Sequence, residues 1–163
     1  MSGHLGIQQE MTDGVLNITF DGKIDDDSDY SPLVFDGAQK AVFNFEGVKL
    51  INSSGIQKWI KFFEAIPDSV ALEFIRCPLR IITQINLVPG FLCNRSVDIS
   101  TFFAPYYCEE CDESTNIMLE TKSAFPDLND INAPEMSCKS CNSELEFDGI
   151  EKKYFIFLKR QAT

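Results

Sequence analysis

Cys108, Cys111, Cys138 and Cys141 form two C-x2-C pairs separated by 26 residues. Thiolate is the metal-binding form of cysteine. Two such pairs on two tight turns bring four sulfurs to the corners of a tetrahedron around Zn2+, with Zn–S near ~2.3 Å. Four thiolates close the coordination sphere and leave no position for a reactive water, so the chemistry expected is structural rather than hydrolytic. The same ligand set suits iron, and two disulfides would form in an oxidising compartment. A redox C-x-x-C would stand alone beside a strand–helix–strand unit, not as a spaced pair of pairs. Asp112 and Asn142 follow the two pairs, and both residue types tolerate a left-handed backbone. Cys77 and Cys93 are isolated and read as neutral interior thiols.

A second stretch with chemical character is Asn52-Ser53-Ser54-Gly55. Asparagine and serine accept backbone N–H bonds at a helix N-cap, where free N–H groups and the helix dipole stabilise an anion. Ser53 needs a base to act as a nucleophile, and the only histidine, His4, lies in a polar N-terminal stretch. Neither G-x-S-x-G nor G-x-x-x-x-G-K-[ST] occurs. Carboxylates are abundant but scattered, so no catalytic residue is assigned and no enzyme is expected. Asp25, Asp26, Asp27 and Asp29 begin like a calcium loop. Tyr30 and Asp36 stand where that loop needs a glycine and a bidentate glutamate, so the run reads as a solvated acidic turn.

These residues need elements to position them. Residues 1–13 are polar and read as a loose arm. Residues 15–20 alternate and read as a strand, with Asp21-Gly22 as a hairpin turn into a second short strand at Lys23-Ile24. A helix is expected near 30–40 and a strand over 41–46. Ile56, Trp59, Ile60 and Phe63 recur at the spacing of one helical face, with Lys58 and Lys61 on the polar side and Pro67-Asp68 at the end. A strand over 70–76, a helix over 79–88 and a strand over 97–103 follow. Strands alternating with helices predict a largely parallel sheet with helices packed on it. Around the cysteines, short strands are expected at 117–121, 145–147 and 154–158, and residues 121–135 read as a long loop.

Asn52-Ser53-Ser54-Gly55 followed by an apolar helix resembles the D-S-S-G loop of STAS domains, the sulfate transporter and anti-sigma-factor antagonist family. The element order over residues 10–104 is similar to the STAS core. The resemblance implies a bacterial regulatory protein that binds a protein partner, a kinase-type anti-sigma factor, through Asn52, Ser53, Ser54 and Gly55. It also implies phosphorylation at Ser53, with Ser54 as the second candidate. Asn52 stands where the family has an aspartate. A STAS core usually ends with one more helix, where this chain has cysteines. The cysteine pairs resemble a zinc ribbon covering residues 105–160. The expected fold class is α/β: a flexible arm (1–13), a STAS-like mixed sheet with helices packed on it (14–104), and a small β zinc-ribbon module holding structural Zn2+ (105–163).

The 163 residues include 44% hydrophobic positions and 14 phenylalanines, enough to fill a core. The net charge of -11 repels phosphate backbones and argues against generic nucleic-acid binding. No apolar run is long enough to span a membrane, and the N-terminal residues lack the features of a secretory signal. A cytoplasmic location is therefore expected, with cysteines reduced or metal-bound. Two other readings stay open. A nucleic-acid-binding ribbon would use Lys152-Lys153 and Lys159-Arg160. An oligomeric scaffold, such as a homodimer, would use the ribbon as a contact, with Phe102, Phe103, Tyr106 and Tyr107 covering the sheet end. Removing the metal is expected to unfold residues 105–160 first.

Overall fold

A computed structural model describes residues 4–161. Strands β1 (Gly6–Thr12), β2 (Val15–Ile24), β3 (Lys40–Ile51), β4 (Ala71–Ile75) and β5 (Val97–Ile99) form a five-stranded sheet in that order. The β1–β2 pair is antiparallel and the others are parallel. Parallel neighbours require crossovers, which α1 (Ser53–Glu64) and α2 (Leu79–Leu87) supply after β3 and β4. Strand alternation sends Leu16, Ile18, Phe20, Ala41, Phe43, Phe45, Leu72 and Phe74 into one buried face. Trp59 and Phe63 of α1 pack on it, with ring centroids 5.0 Å apart. The Trp59 indole N–H is satisfied by the Phe91 carbonyl at 3.0 Å. The opposite face carries exposed Asn17, Thr19, Asp21 and Glu46.

Strands β6 (Thr101–Cys108), β7 (Glu113–Glu120), β8 (Met136–Ser137) and β9 (Glu144–Phe147) form an antiparallel sheet in the order β7-β6-β9-β8. Three short helices complete the chain: α3 (Thr121–Ala124), α4 (Glu151–Tyr154) and α5 (Ile156–Gln161). The sheets meet where Cys77 bridges Phe102, with the Phe103 N–H donating to the Cys77 carbonyl at 2.8 Å. Phe102 packs on Phe125, Phe155 and Phe157. Helices α4 and α5 pack on α2, where Asn86 donates to the Tyr154 carbonyl at 2.9 Å and Arg160 to the Ile85 carbonyl at 3.2 Å. Among the described residues no helix is long and apolar enough to cross a membrane.

The chain is thus a mixed α/β fold, and α1, α2, β3, β4, β7 and β9 fall close to their expected positions. Five local expectations are corrected. Residues 6–12, expected in the loose arm, form β1, because the hairpin turn is Asp13-Gly14 (φ 51 and 80) and not Asp21-Gly22. Asp21 and Gly22 lie inside β2, where Gly22 (φ 114) lets the His4 carbonyl approach closer than any Cβ would allow. The helix expected near 30–40 is absent: residues 30–39 form turns and loop, and Lys40 opens β3. Asp29 Oδ1 accepts the Ser31 N–H at 2.9 Å, Pro32 removes a donor, and Gly37 has a positive φ. Residues 97–103 are not one strand. Burial switches from Val97 and Ile99 to Phe102 and Ala104, and the chain changes sheets at Ser100. Residues 154–158 are helical rather than extended, because burial of adjacent Phe157 and Leu158 breaks a period of two. Residues 121–135 begin with α3 before they become loop.

Candidate metal centre and serine loop

Cys108 ends β6 and Cys111 lies in the turn into β7; Cys138 follows β8 and Cys141 lies in the turn into β9. Each pair therefore sits on the tip of a hairpin. Asp112 and Asn142 take the left-handed conformation (φ 53 and 63), which turns the chain back after each pair. Backbone bonds fix both tips. The Cys111 N–H points at Cys108 Sγ at 3.4 Å, and the Cys138 N–H donates to the Ser143 carbonyl at 2.8 Å. The Tyr107 hydroxyl bonds the Asp112 carboxylate, and the Tyr106 hydroxyl bonds the Pro134 carbonyl at 2.8 Å. Side chains thus hold both the first turn and the long loop that carries the second pair.

The four sulfurs lie within 4.8 Å of one another. Cys108 and Cys141 are 3.5 Å apart and Cys111 and Cys138 3.9 Å apart. A tetrahedron with ~2.3 Å metal–sulfur bonds has edges of about 3.8 Å. The cluster therefore has the size of a four-thiolate metal site, and it runs from buried Cys108 to exposed Cys141. The proton affinities are split. The Ser143 hydroxyl and N–H pull Cys141 down to about 6, and the Cys141 and Ser140 N–H groups hold Cys138 below the usual thiol range. Cys111 is pushed up, first by the thiols of Cys141 and Cys108 and then by burial. At Cys108 the Cys111 N–H favours the thiolate, but burial and the thiols of Cys141 and Cys138 outweigh it. Four thiolates this close repel one another, and a dication is what lets all four lose their protons together. Ser143, not among the expected site residues, could have been noticed as a donor two positions after the last cysteine.

Cys77 is fully buried and its thiol is pushed up by burial. Cys93 is half-buried and also raised, chiefly by burial. Neither approaches the cluster of four. The Asp25, Asp26 and Asp27 carboxylates also lie within 4.8 Å of one another, but Asp25 Oδ1 is used by the Asp27 N–H at 3.0 Å and two of the three residues are exposed. The turn is solvated, as its residue types imply.

In the serine loop one residue does the capping. Asn52 Oδ1 accepts the Gly55 N–H at 2.8 Å, and the Asn52 carbonyl accepts the Ile56 N–H at 2.9 Å. An asparagine amide oxygen caps as well as a carboxylate and does so without charge. Ser53 and Ser54 are left exposed in the first turn of α1. Gly55 is buried against the Ile24 carbonyl, closer than any Cβ would permit, so this loop is pressed onto the end of β2 beside the Asp25 backbone. Trp59 is wholly buried. His4 is exposed, and among the described residues no side chain hydrogen-bonds the Ser53 hydroxyl.

No protein-family model matches the chain, and no curated protein matches it.

Proposed function

We propose that this chain is a bacterial, cytoplasmic regulatory module of the STAS kind, which acts by docking to a protein partner and not by catalysis. The observation that carries this reading is the division of labour at the start of α1. Asn52 caps the helix terminus, and Ser53 and Ser54 present hydroxyls that no side chain engages among the described residues, on a turn anchored by Gly55 and Trp59. The docking surface is this turn, Asn52 to Gly55. Phosphorylating Ser53 adds about -1.5 to -2 charges at the positive end of the helix, which the helix itself tolerates. The turn of Asp25 to Asp27 lies alongside, so the modified surface repels an acidic or apolar partner, and phosphorylation releases it. A kinase-type anti-sigma factor fits that role.

The second half of the proposal is a structural zinc ribbon. Cys108, Cys111, Cys138 and Cys141 would hold the ion, and the sulfur spacing and all-thiolate donor set suit Zn2+. Zinc bound there supplies a cross-link between two hairpin tips and no reactive position.

Affinity capture with wild type, Ser53→Ala and Ser53→Asp tests the docking surface. A partner held by the first two and lost from the third supports it. Equal capture by all three, or none by any, overturns it. Elemental analysis of purified protein should give one zinc per chain; iron in its place would reassign the metal.

A further inference from the structure

We propose that the outer edge of β1 is an interface for a second copy of this chain, paired antiparallel about a two-fold axis through Gln9. β1 is the last strand of its sheet, and among the described residues none pairs with its outer side. Free strand edges template further pairing and are commonly guarded by lysine, proline, a bulge or a covering segment. β1 has no lysine, proline or bulge; the turn at Pro32 reaches only its inner face, where the Gln9 side-chain amide donates to the Pro32 carbonyl at 2.6 Å, and among the described residues nothing bonds its outward backbone groups. Its register with β2 runs unbroken from Gly6↔Asp21 to Thr12↔Val15, and its one charge is Glu10. The other edge of the same sheet is guarded. β5 has three residues, carries Asp98, and is covered by Thr121, which donates to the Ile99 carbonyl at 2.6 Å and the Ser100 carbonyl at 2.9 Å.

The turn fixes which groups are free. In a two-residue hairpin the flanking residues, here Thr12 and Val15, exchange hydrogen bonds across the pair. Alternation then aims the N–H and C=O groups of Ile7, Gln9 and Met11 outward. Pairing β1 with itself about Gln9 sets Gln9 opposite Gln9 and Ile7 opposite Met11 on both sides, each pair exchanging two backbone bonds. Gln8 falls opposite Glu10, so no like charges face each other. The other long free edge is β7, and there the full-length self-pairing sets Glu113 against Glu120 at both ends, which is repulsive. The net charge of -11 on each copy opposes approach, so the β1 dimer tightens with salt.

Sedimentation equilibrium on the full chain, at about 0.15 M salt and above, tests this. Wild type should be a reversible dimer. Gln8→Lys, which creates two Lys–Glu pairs, should tighten it about fivefold, and Gln8→Glu should weaken it about as much. Gln9→Pro removes an outward N–H without removing a bond to β2, so it should give monomer with the thermal transition retained. A chain that stays monomeric at every concentration overturns the proposal. So does a dimer indifferent to the sign of the charge at position 8, or one lost in Glu113→Lys instead.

Discussion

The five-stranded and four-stranded sheets are held by different physics. In the first, Phe43, Phe45, Phe63, Phe74 and Phe91 close around Trp59 at centroid distances of 5.0 to 6.0 Å. Those rings, with the aliphatic ends of β2, β3 and β4, make a core that water does not reach. The distal half of the second sheet has far less to bury. Strand β7 is exposed at most positions, and β8 and β9 contribute only Leu145 to the interior. Its hairpin tips come together through four sulfurs. A cross-link through those sulfurs would compensate for a thin core, whereas a large aromatic core needs none. Between them lies a third zone, where Phe102, Phe125, Phe155 and Phe157 pack and α5 returns to α2.

Removing the proposed zinc is the largest expected perturbation, since structural zinc contributes on the order of 10–16 kcal/mol of apparent binding free energy in small peptides. Chelation at neutral pH should release one ion per chain and strip amide-exchange protection from the tips, residues 106–118 and 136–147. Residues around Phe43 and Phe74 should stay protected. The Phe102 cluster, which includes Phe125, Phe155 and Phe157, should also persist, so the loss is narrower than the expected unfolding of all of residues 105–160. Simultaneous loss across both sheets would erase the contrast.

Trp59→Ala attacks the other side of the comparison. It empties the middle of the aromatic core and orphans the Phe91 carbonyl, at a cost of about 3–5 kcal/mol. Denaturant unfolding should lose that much for the five-stranded sheet, while metal affinity at the cysteines changes little. A large drop in metal affinity would mean that the two regions are one cooperative unit.

The smallest effect concerns the junction. Glu73 accepts the Ser100 hydroxyl at 2.6 Å and pairs with Lys40 at 2.6 Å, so it ties β3 and β4 to the residue where the chain changes sheets. Burial opposes the Glu73 carboxylate, but Lys40 and Ser100 outweigh it and leave its pKa below the usual value. A lowered folded pKa contributes stability above the unfolded value of about 4.3, and that stability is lost as pH falls through the folded value. Glu73→Gln should cost about 1 kcal/mol at pH 7, reduced by solvent screening at Lys40. It should also flatten the stability curve below about pH 4.3. An unchanged acid limb would remove Glu73 from the junction.

Much of the fold and of the four-cysteine cluster was legible in the residues. The α1 face, the Asn52 cap and the two cysteine pairs depend on spacing of a few residues, which is local information. The left-handed Asp112 and Asn142 were legible for the same reason. The misread stretches share a different cause. Asp13-Gly14 and Asp21-Gly22 are the same dipeptide, and only the second is held open by an arriving backbone, that of His4. Residues 154–158 carry aromatic residues that suit a strand, yet they dock as helix on α2, where Asn86 donates to the Tyr154 carbonyl and Arg160 to the Ile85 carbonyl.

By itself the sequence determined the α/β class, the helix that follows Asn52, and the four sulfurs able to share one ion. In each case the deciding interactions lie within a turn or two of the chain or between paired motifs. Only the tertiary structure decided that residues 6–12 are a strand with a free edge, that the chain crosses between sheets at Ser100, and that its end folds back on α2. Those outcomes depend on which distant backbone or aromatic surface is present to receive the segment, and local periodicity carries no record of it.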